Sequence, residues 1–167
     1  NYVQSGLYSI PICCQNRECL FGEIKNGKMI LNDAGKMVHT EWLNLRNRFS
    51  NIELHEFVTM PNHFHGILKI VGATLVVAHN ETVAHNGQPQ GIAPTKTVGD
   101  MMDAFKSITT VEYIRGVKKL GWKPFYGKIW QRNYYEHILR NEQSYYIISN
   151  YIINNPVKWQ EDKFYAP

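Results

Sequence analysis

Ile52-Glu53-Leu54-His55-Glu56-Phe57-Val58-Thr59, then Met60-Pro61-Asn62, then His63-Phe64-His65-Gly66-Ile67-Leu68-Lys69-Ile70-Val71 is the stretch that decides the fold. Both outer runs are rich in β-branched, aromatic and aliphatic residues, and only a short turn separates them. Strand, turn, strand is a hairpin. Side chains two apart on a strand share a face. Phe64, Leu68 and Ile70 therefore point to one side, apolar enough to pack under helices. His63 and His65 point to the other.

Upstream, Asn32 or Asp33 can cap a helix running to about Phe49, with Met37, Val38, Trp42, Leu45 and Phe49 at helical spacing. Before it lie a strand-like run from Leu7 to Cys14 and a turn over Glu23 to Lys28, centred on Asn26-Gly27. Downstream, residues 72–97 break the pattern. They repeat Val-Ala-His-Asn at 77–80 and 83–86, which reads as a mobile insertion on a hairpin arm. His79 and His85 within it are weak metal candidates, because a flexible echo does not preorganise a site. Thr95 or Thr97 can cap a second helix through about Lys119, ended by Leu120-Gly121. Ile129 to Leu139 reads as a strand. Asn141 caps a last helix, Gln143 to about Asn155, which stops before Pro156. The expected fold class is α+β: a ferredoxin-like or RRM-like βαββαβ antiparallel sheet with helices on one face and an added C-terminal helix. The second sheet face is expected to be free for a site.

The length of 167 residues suits one domain, 1–167, with a real core. No apolar run reaches bilayer length and no basic-then-apolar leader opens the sequence, so the cytoplasm is the expected compartment. Cys13, Cys14 and Cys19 make a poor disulfide framework and are expected to be reduced. The net charge of +4 is unevenly spread. Between Tyr113 and Arg140 stand Arg115, Lys118, Lys119, Lys123, Lys128, Arg132 and Arg140 against one acid, Glu136. Tyr113, Trp122, Phe125, Tyr126, Trp130, Tyr134 and Tyr135 are interleaved with them. Cations neutralise phosphates and flat rings stack on unpaired bases. The same pattern also describes a solvated basic face over an aromatic core.

Two constellations carry chemistry. Two imidazoles on one sheet face can hold a divalent cation, although His-x-His on a strand also occurs as two polar residues on an exposed sheet face. Tyr151 and Asn155, four apart, share one face of the last helix. A tyrosine hydroxyl activated by a base or metal is a nucleophile. The Asn155 oxygen is a hard donor suited to Mg²⁺ or Mn²⁺. Taken alone, a tyrosine on an Ile-rich helix is usually a packing residue, and Asn155-Pro156 is a common helix stop. Lys106 lies near the phosphates or is a solvated charge, and His137 reads as a structural histidine.

The run Met60-Pro61-Asn62-His63-Phe64-His65-Gly66 resembles the HUH motif of the REP-associated tyrosine transposases. Trp130-Gln131-Arg132-Asn133-Tyr134-Tyr135-Glu136-His137 resembles a later segment of that family, and Tyr151-Ile152-Ile153-Asn154-Asn155-Pro156 resembles its tyrosine signature. Asn16-Arg17 and Phe105-Lys106-Ser107 also match. The likeness covers the chain outside 72–97. It implies His63 and His65 as metal ligands for Mg²⁺ or Mn²⁺ and Tyr151 as nucleophile. Asn155 stands where related insertion-sequence transposases carry a glutamine ligand. The implied activity is cleavage and rejoining of single-stranded DNA at hairpin-forming repeats through a 5′-phosphotyrosine. The DNA is expected to meet Lys106, Arg115, Lys118, Lys119, Trp130, Arg132 and Tyr134. A monomer or homodimer acting at the nucleoid, without a membrane, completes the expectation. The competing readings are a non-catalytic nucleic-acid binding module, an HUH replication initiator or relaxase-type nickase, and a metal phosphohydrolase that uses water.

Overall fold

The computed structural model describes residues 5–72 and 96–167. The echo with His79 and His85, and nearly all of the 72–97 insertion, lies outside the described residues. Among the described residues the order is β1 (Gly6–Cys13), a 3-10 turn at Gln15–Arg17, a hairpin of β2 (Gly22–Lys25) and β3 (Lys28–Leu31), α1 (Asp33–Arg48), β4 (Ile52–Thr59), β5 (His63–Ile70), α2 (Val98–Leu120), β6 (His137–Leu139), α3 (Glu142–Asn154) and a 3-10 turn at Trp159–Glu161. The main sheet runs β4-β5-β1-β6, all antiparallel. That order is the ferredoxin-like arrangement, so the expected α+β class holds.

The helices start and stop where their ends demand. Asn32 accepts from the Gly35 N–H, and Thr97 forms a capping box with Asp100. Asn141 accepts from the Ser144 N–H, and Gly121 takes a left-handed φ of 69° to end α2. Asn26 and Gly27 both sit at positive φ in the tight turn joining β2 to β3. The reading of 23–28 as a turn thus placed its centre and missed the four-residue strands on either side.

The core lies between the sheet and the pair α1 and α2. Tyr8, Ile10, Ile12, Phe64, Leu68 and Ile70 meet Val38, Trp42, Leu45, Met101, Met102 and Phe105. The opposite face is not free, contrary to expectation. α3 covers it, packing Ile152, Tyr145, Ile148 and Tyr151 on Ile67, Leu139, Leu7 and Val58. An apolar stripe on a helix must find a surface, and this face is the one left over.

A β-bulge between Leu54 and Phe57 helps seat α3. The bulged strand carries His55 and Glu56, and the Tyr145 hydroxyl donates to Glu56 Oε2 at 2.6 Å. An extra residue re-aims side chains from a regular strand. The strand expected over 129–139 shrinks to His137–Leu139 plus a bridge between Cys14 and Trp130. The Lys106 ammonium donates to the carbonyls of Gln131 and Arg132, at 2.8 and 3.1 Å, and so diverts acceptors from a ladder.

Gly66 sits where the strand carrying His65 passes closest to Trp42. A Cβ there would lie 2.6 Å from the fully buried Trp42 ring and 2.9 Å from Phe64. Gly66→Ala should cost about 1–3 kcal/mol in urea unfolding, as overpacking does. An unchanged midpoint and slope would show that the contact is slack.

Candidate active site

β5 delivers His63 and His65 side by side to the α3 face, and both are buried, at 0% and 6% exposure. Register places Cys13 opposite His63 and Pro11 opposite His65. Ser9 Oγ lies 2.8 Å from His65 Nε2. The edge of the His65 ring meets Tyr151, centroids 5.5 Å apart. His63 packs against Phe164 and Trp159 from the C-terminal segment. Four of the expected residues, His63, His65, Tyr151 and Asn155, thus come together.

His63 has an unusual pair of neighbours. Its Nδ1 lies 3.0 Å from Asn62 Oδ1, and its Nε2 lies 3.1 Å from Asn155 Oδ1. Both amides are oriented from outside. Asn62 Nδ2 donates to the carbonyls of Arg17 and Phe164. Asn155 Nδ2 donates to Asp162 Oδ2 at 2.6 Å. A neutral imidazole carries one N–H, so it can satisfy only one of the two oxygens. Burial above all pushes His63 down to about 4 and His65 down to about 3, so both rings are neutral at pH 7. With the proton on Nδ1, a lone pair on Nε2 faces the Asn155 oxygen.

That unsatisfied pair tests the fit of a divalent cation. His63 Nε2 and Asn155 Oδ1 lie 3.1 Å apart, and an imidazole nitrogen and an amide oxygen are both donor types that a divalent cation takes. His65 Nδ1 is a further buried nitrogen with no hydrogen-bond partner among the described residues. Among those residues no three His, Cys, Asp or Glu side chains cluster as a metal centre. The donor set is instead two imidazoles and an amide oxygen, and it fits in kind.

Asp162 is the residue that sequence reasoning missed. Its Oδ2 accepts from the Tyr151 hydroxyl at 2.6 Å and from Asn155, while Oδ1 accepts from the Phe164 N–H. Burial raises its pKa, but these hydrogen bonds outweigh burial and hold it below the usual carboxylate value. Burial first, then the Asp162 hydrogen bond and charge, push the Tyr151 phenol well above its ordinary value. A cavity of about 350 Å³ opens onto His65, Tyr151, Asp162, Ser9, His137 and Lys163. No spacing rule links Asp162 to Tyr151, because the chain between them turns twice after α3. Ser9 could have been found once β1 was paired with β5.

The expected DNA contacts divide. Arg115, Lys118, Lys119 and Arg132 are exposed. Trp130 is 5% exposed, its indole N–H donating to Thr109 and its ring packed on Phe21, which leaves no face for a base. Lys106 is a strut to the 131–132 carbonyls and lies over the half-buried Tyr134 ring. The three cysteines carry free thiols, and burial pushes Cys13 up to about 11.

The buried histidines set a pH dependence. Unfolded imidazoles titrate near 6.5, above the folded values, so the unfolded state binds protons first. The stability they contribute is complete above about pH 6.5 and is lost as pH falls through about 4 and then 3. In EDTA, the melting temperature should drop between pH 7 and 4, and His65→Gln should flatten that slope. A wild-type melting temperature level across this range would mean the rings are not buried neutral.

No family model matches the chain. A protein of Haemophilus influenzae, described only as uncharacterized, is 39% identical over 166 residues, covering 99% of this chain and 88% of that one. The structure of a REP-associated tyrosine transposase bound to a REP hairpin superposes with a TM-score of 0.56, at 19% identity, over 95% of this chain and 71% of that one. Among the described residues no helix is long and apolar enough to cross a membrane. The chain therefore belongs to one family with the Haemophilus influenzae protein, and its fold is that of the REP-associated tyrosine transposase.

Proposed function

We propose that this chain is a metal-dependent, single-tyrosine HUH transposase that cuts and rejoins single-stranded DNA. One observation carries the reading: an unbroken series of contacts runs from His63 through Asn155 and Asp162 to Tyr151, within one polypeptide. The REP hairpin held by the structurally similar transposase supports hairpin-forming repeats as the target. Because all four groups come from one chain, a monomer can act in cis, in the cytoplasm at the nucleoid.

Mg²⁺ or Mn²⁺ bound by His63, His65 and Asn155 would polarise the scissile phosphate and offset charge growing in the transition state. The chain's own residues do the rest. The cavity beside His65 and Tyr151 takes the phosphate. Tyr151 Oη attacks phosphorus in line, and its proton passes to Asp162 Oδ2. As the Oη–P bond forms, the bond from phosphorus to the 3′ oxygen breaks. That oxygen leaves as a 3′-hydroxyl with a proton from water. The 5′-phosphotyrosine retains the energy of the broken linkage. A second 3′-hydroxyl can therefore attack it and return Tyr151 as a phenol without ATP.

On denaturing gels, hairpin-bearing oligonucleotides with Mn²⁺ or Mg²⁺ should give a protein–DNA adduct. Tyr151→Phe and His63→Ala should give none. Cleavage that survives Tyr151→Phe without an adduct would instead favour a hydrolase using water, and binding without cleavage a recognition module. Asp162→Asn should slow adduct formation about 100-fold, the usual scale for a lost proton acceptor, with oligonucleotide affinity unchanged. An undiminished rate would remove Asp162 from the proton path.

A further inference from the structure

A second cleft lies just beyond the C-terminal end of β1, the end at which Cys13 pairs with His63. Gln15, Asn16, Tyr126, Gly127, Lys128 and Arg132 line an open cleft of about 470 Å³. We propose that this cleft binds one unpaired nucleotide of the DNA substrate, an adenine by preference, and so sets where Tyr151 cuts. The inference rests on the single-stranded DNA reading of the active site.

The composition of the cleft suits a nucleotide: an open aromatic ring, two cations and two side-chain amides. Tyr126 is 87% exposed, so its ring contributes nothing to the core. Aromatic faces left open beside cations are stacking platforms for bases. Lys128 and Arg132 are exposed, and among the described residues neither forms a salt bridge. No carboxylate lines the cleft. Its charge is therefore available to a phosphate. Gln15 and Asn16 add two side-chain amides, and an amide can pair with the adjacent donor and acceptor of an adenine edge.

The cleft is held rigid from below. Tyr126 projects from a loop fastened on both sides. On one side the Tyr113 hydroxyl donates to the Lys123 carbonyl at 2.8 Å, and Phe125 packs on the Tyr113 ring. On the other, Gln15 N–H donates to the Ile129 carbonyl at 2.7 Å and Gln131 N–H to the Cys13 carbonyl at 2.8 Å. Gly127 takes a left-handed φ of 74° to turn the ring outward. The opposite wall is strained: Asn16 and Arg17 are consecutive non-glycine residues at φ 57° and 55°. Such backbone costs free energy and persists where its surroundings over-determine it. Preorganisation of this kind lowers the cost of ordering a ligand.

Asn62 couples the cleft to the chemistry. Its side chain donates to the Arg17 carbonyl at 3.2 Å and faces His63 Nδ1 at 3.0 Å, while its backbone carbonyl accepts from Cys14 N–H at 2.8 Å. One residue thus fixes both the strained wall and the first histidine. A base seated in the cleft stands at a set distance from the scissile phosphate, which is what a site-defining contact requires.

The test is fluorescence anisotropy with labelled dA12, dT12 and dC12 in EDTA, where no cleavage intervenes. Wild type should bind dA12 tightest. Tyr126→Ala should weaken binding of all three about 10-fold, the scale of one lost stacking contact. Asn16→Ala should abolish the preference for dA12 and leave dT12 affinity unchanged. Lys128→Ala should weaken all three alike and reduce the salt dependence by about one counterion. These side chains are exposed, and unchanged melting temperatures would show that the fold is kept. If Tyr126→Ala and Asn16→Ala bind like wild type, the cleft proposal falls, even where the adduct still forms on gels. If wild type binds none of the oligonucleotides, the cleft proposal falls as well. If the variants lose binding as expected but no adduct ever forms, the cleft stands and the tyrosine chemistry is what fails.

Discussion

Two side-chain amides, each locked from outside, turn their oxygens onto one buried neutral imidazole. That constraint organises everything around His63. Asn62 cannot rotate without giving up the Arg17 and Phe164 carbonyls. Asn155 cannot rotate without giving up a charge-assisted bond to Asp162. The imidazole has one proton for two acceptors, so an acceptor pair is left facing itself inside the protein. Buried polar groups normally avoid this. On the proposed reading a divalent cation would relieve that facing pair, and the cost falls on the cation-free form.

The rest of the molecule can be understood as the apparatus that delivers those amides. Asn62 comes with the hairpin turn, one residue before the strand. Asn155 comes from the end of α3, ninety-two residues away from His63, so the helix must dock accurately. Three features secure it: the apolar strip against Ile67 and Leu139, the cap at Asn141, and the Tyr145–Glu56 bond on the bulge of β4. A regular β4 would point Glu56 elsewhere. The bulge therefore serves the tyrosine helix, which in turn serves the histidines.

The hairpin 52–71 was legible because period-2 patterning and a short turn are local facts, and the helix ends were legible because Asn32, Thr97 and Asn141 are local caps. His63 and His65 followed from parity alone. What was hidden was tertiary. That α3 closes the second sheet face depends on which surface remains after α1 and α2 have packed. The shortening of the last strand depends on Lys106 reaching carbonyls 25 residues away. Trp130 sits in an aromatic, basic run that reads as a binding surface, yet its ring completes a core built from Phe21 and Phe105. Asp162 lies beyond the helix with no periodicity to announce it. Composition marks the neighbourhood of a surface, whereas burial decides which of its aromatic residues are available.

The division of labour among those aromatics bears on what substrate the protein can accept. Tyr151 is recessed: it is half-buried, hydrogen-bonded, and reached through a cavity of about 350 Å³. A phosphodiester held rigidly in a stacked duplex cannot lower one phosphate into such a recess without distorting its neighbours. An unpaired strand can bend its backbone at a single linkage, provided that something outside the recess takes up the flanking bases. Tyr126 and the cations beside it occupy that outer position on the proposed reading. On that reading the recess and the exposed ring are complementary requirements: the first would select a flexible strand, and the second would give that strand a register.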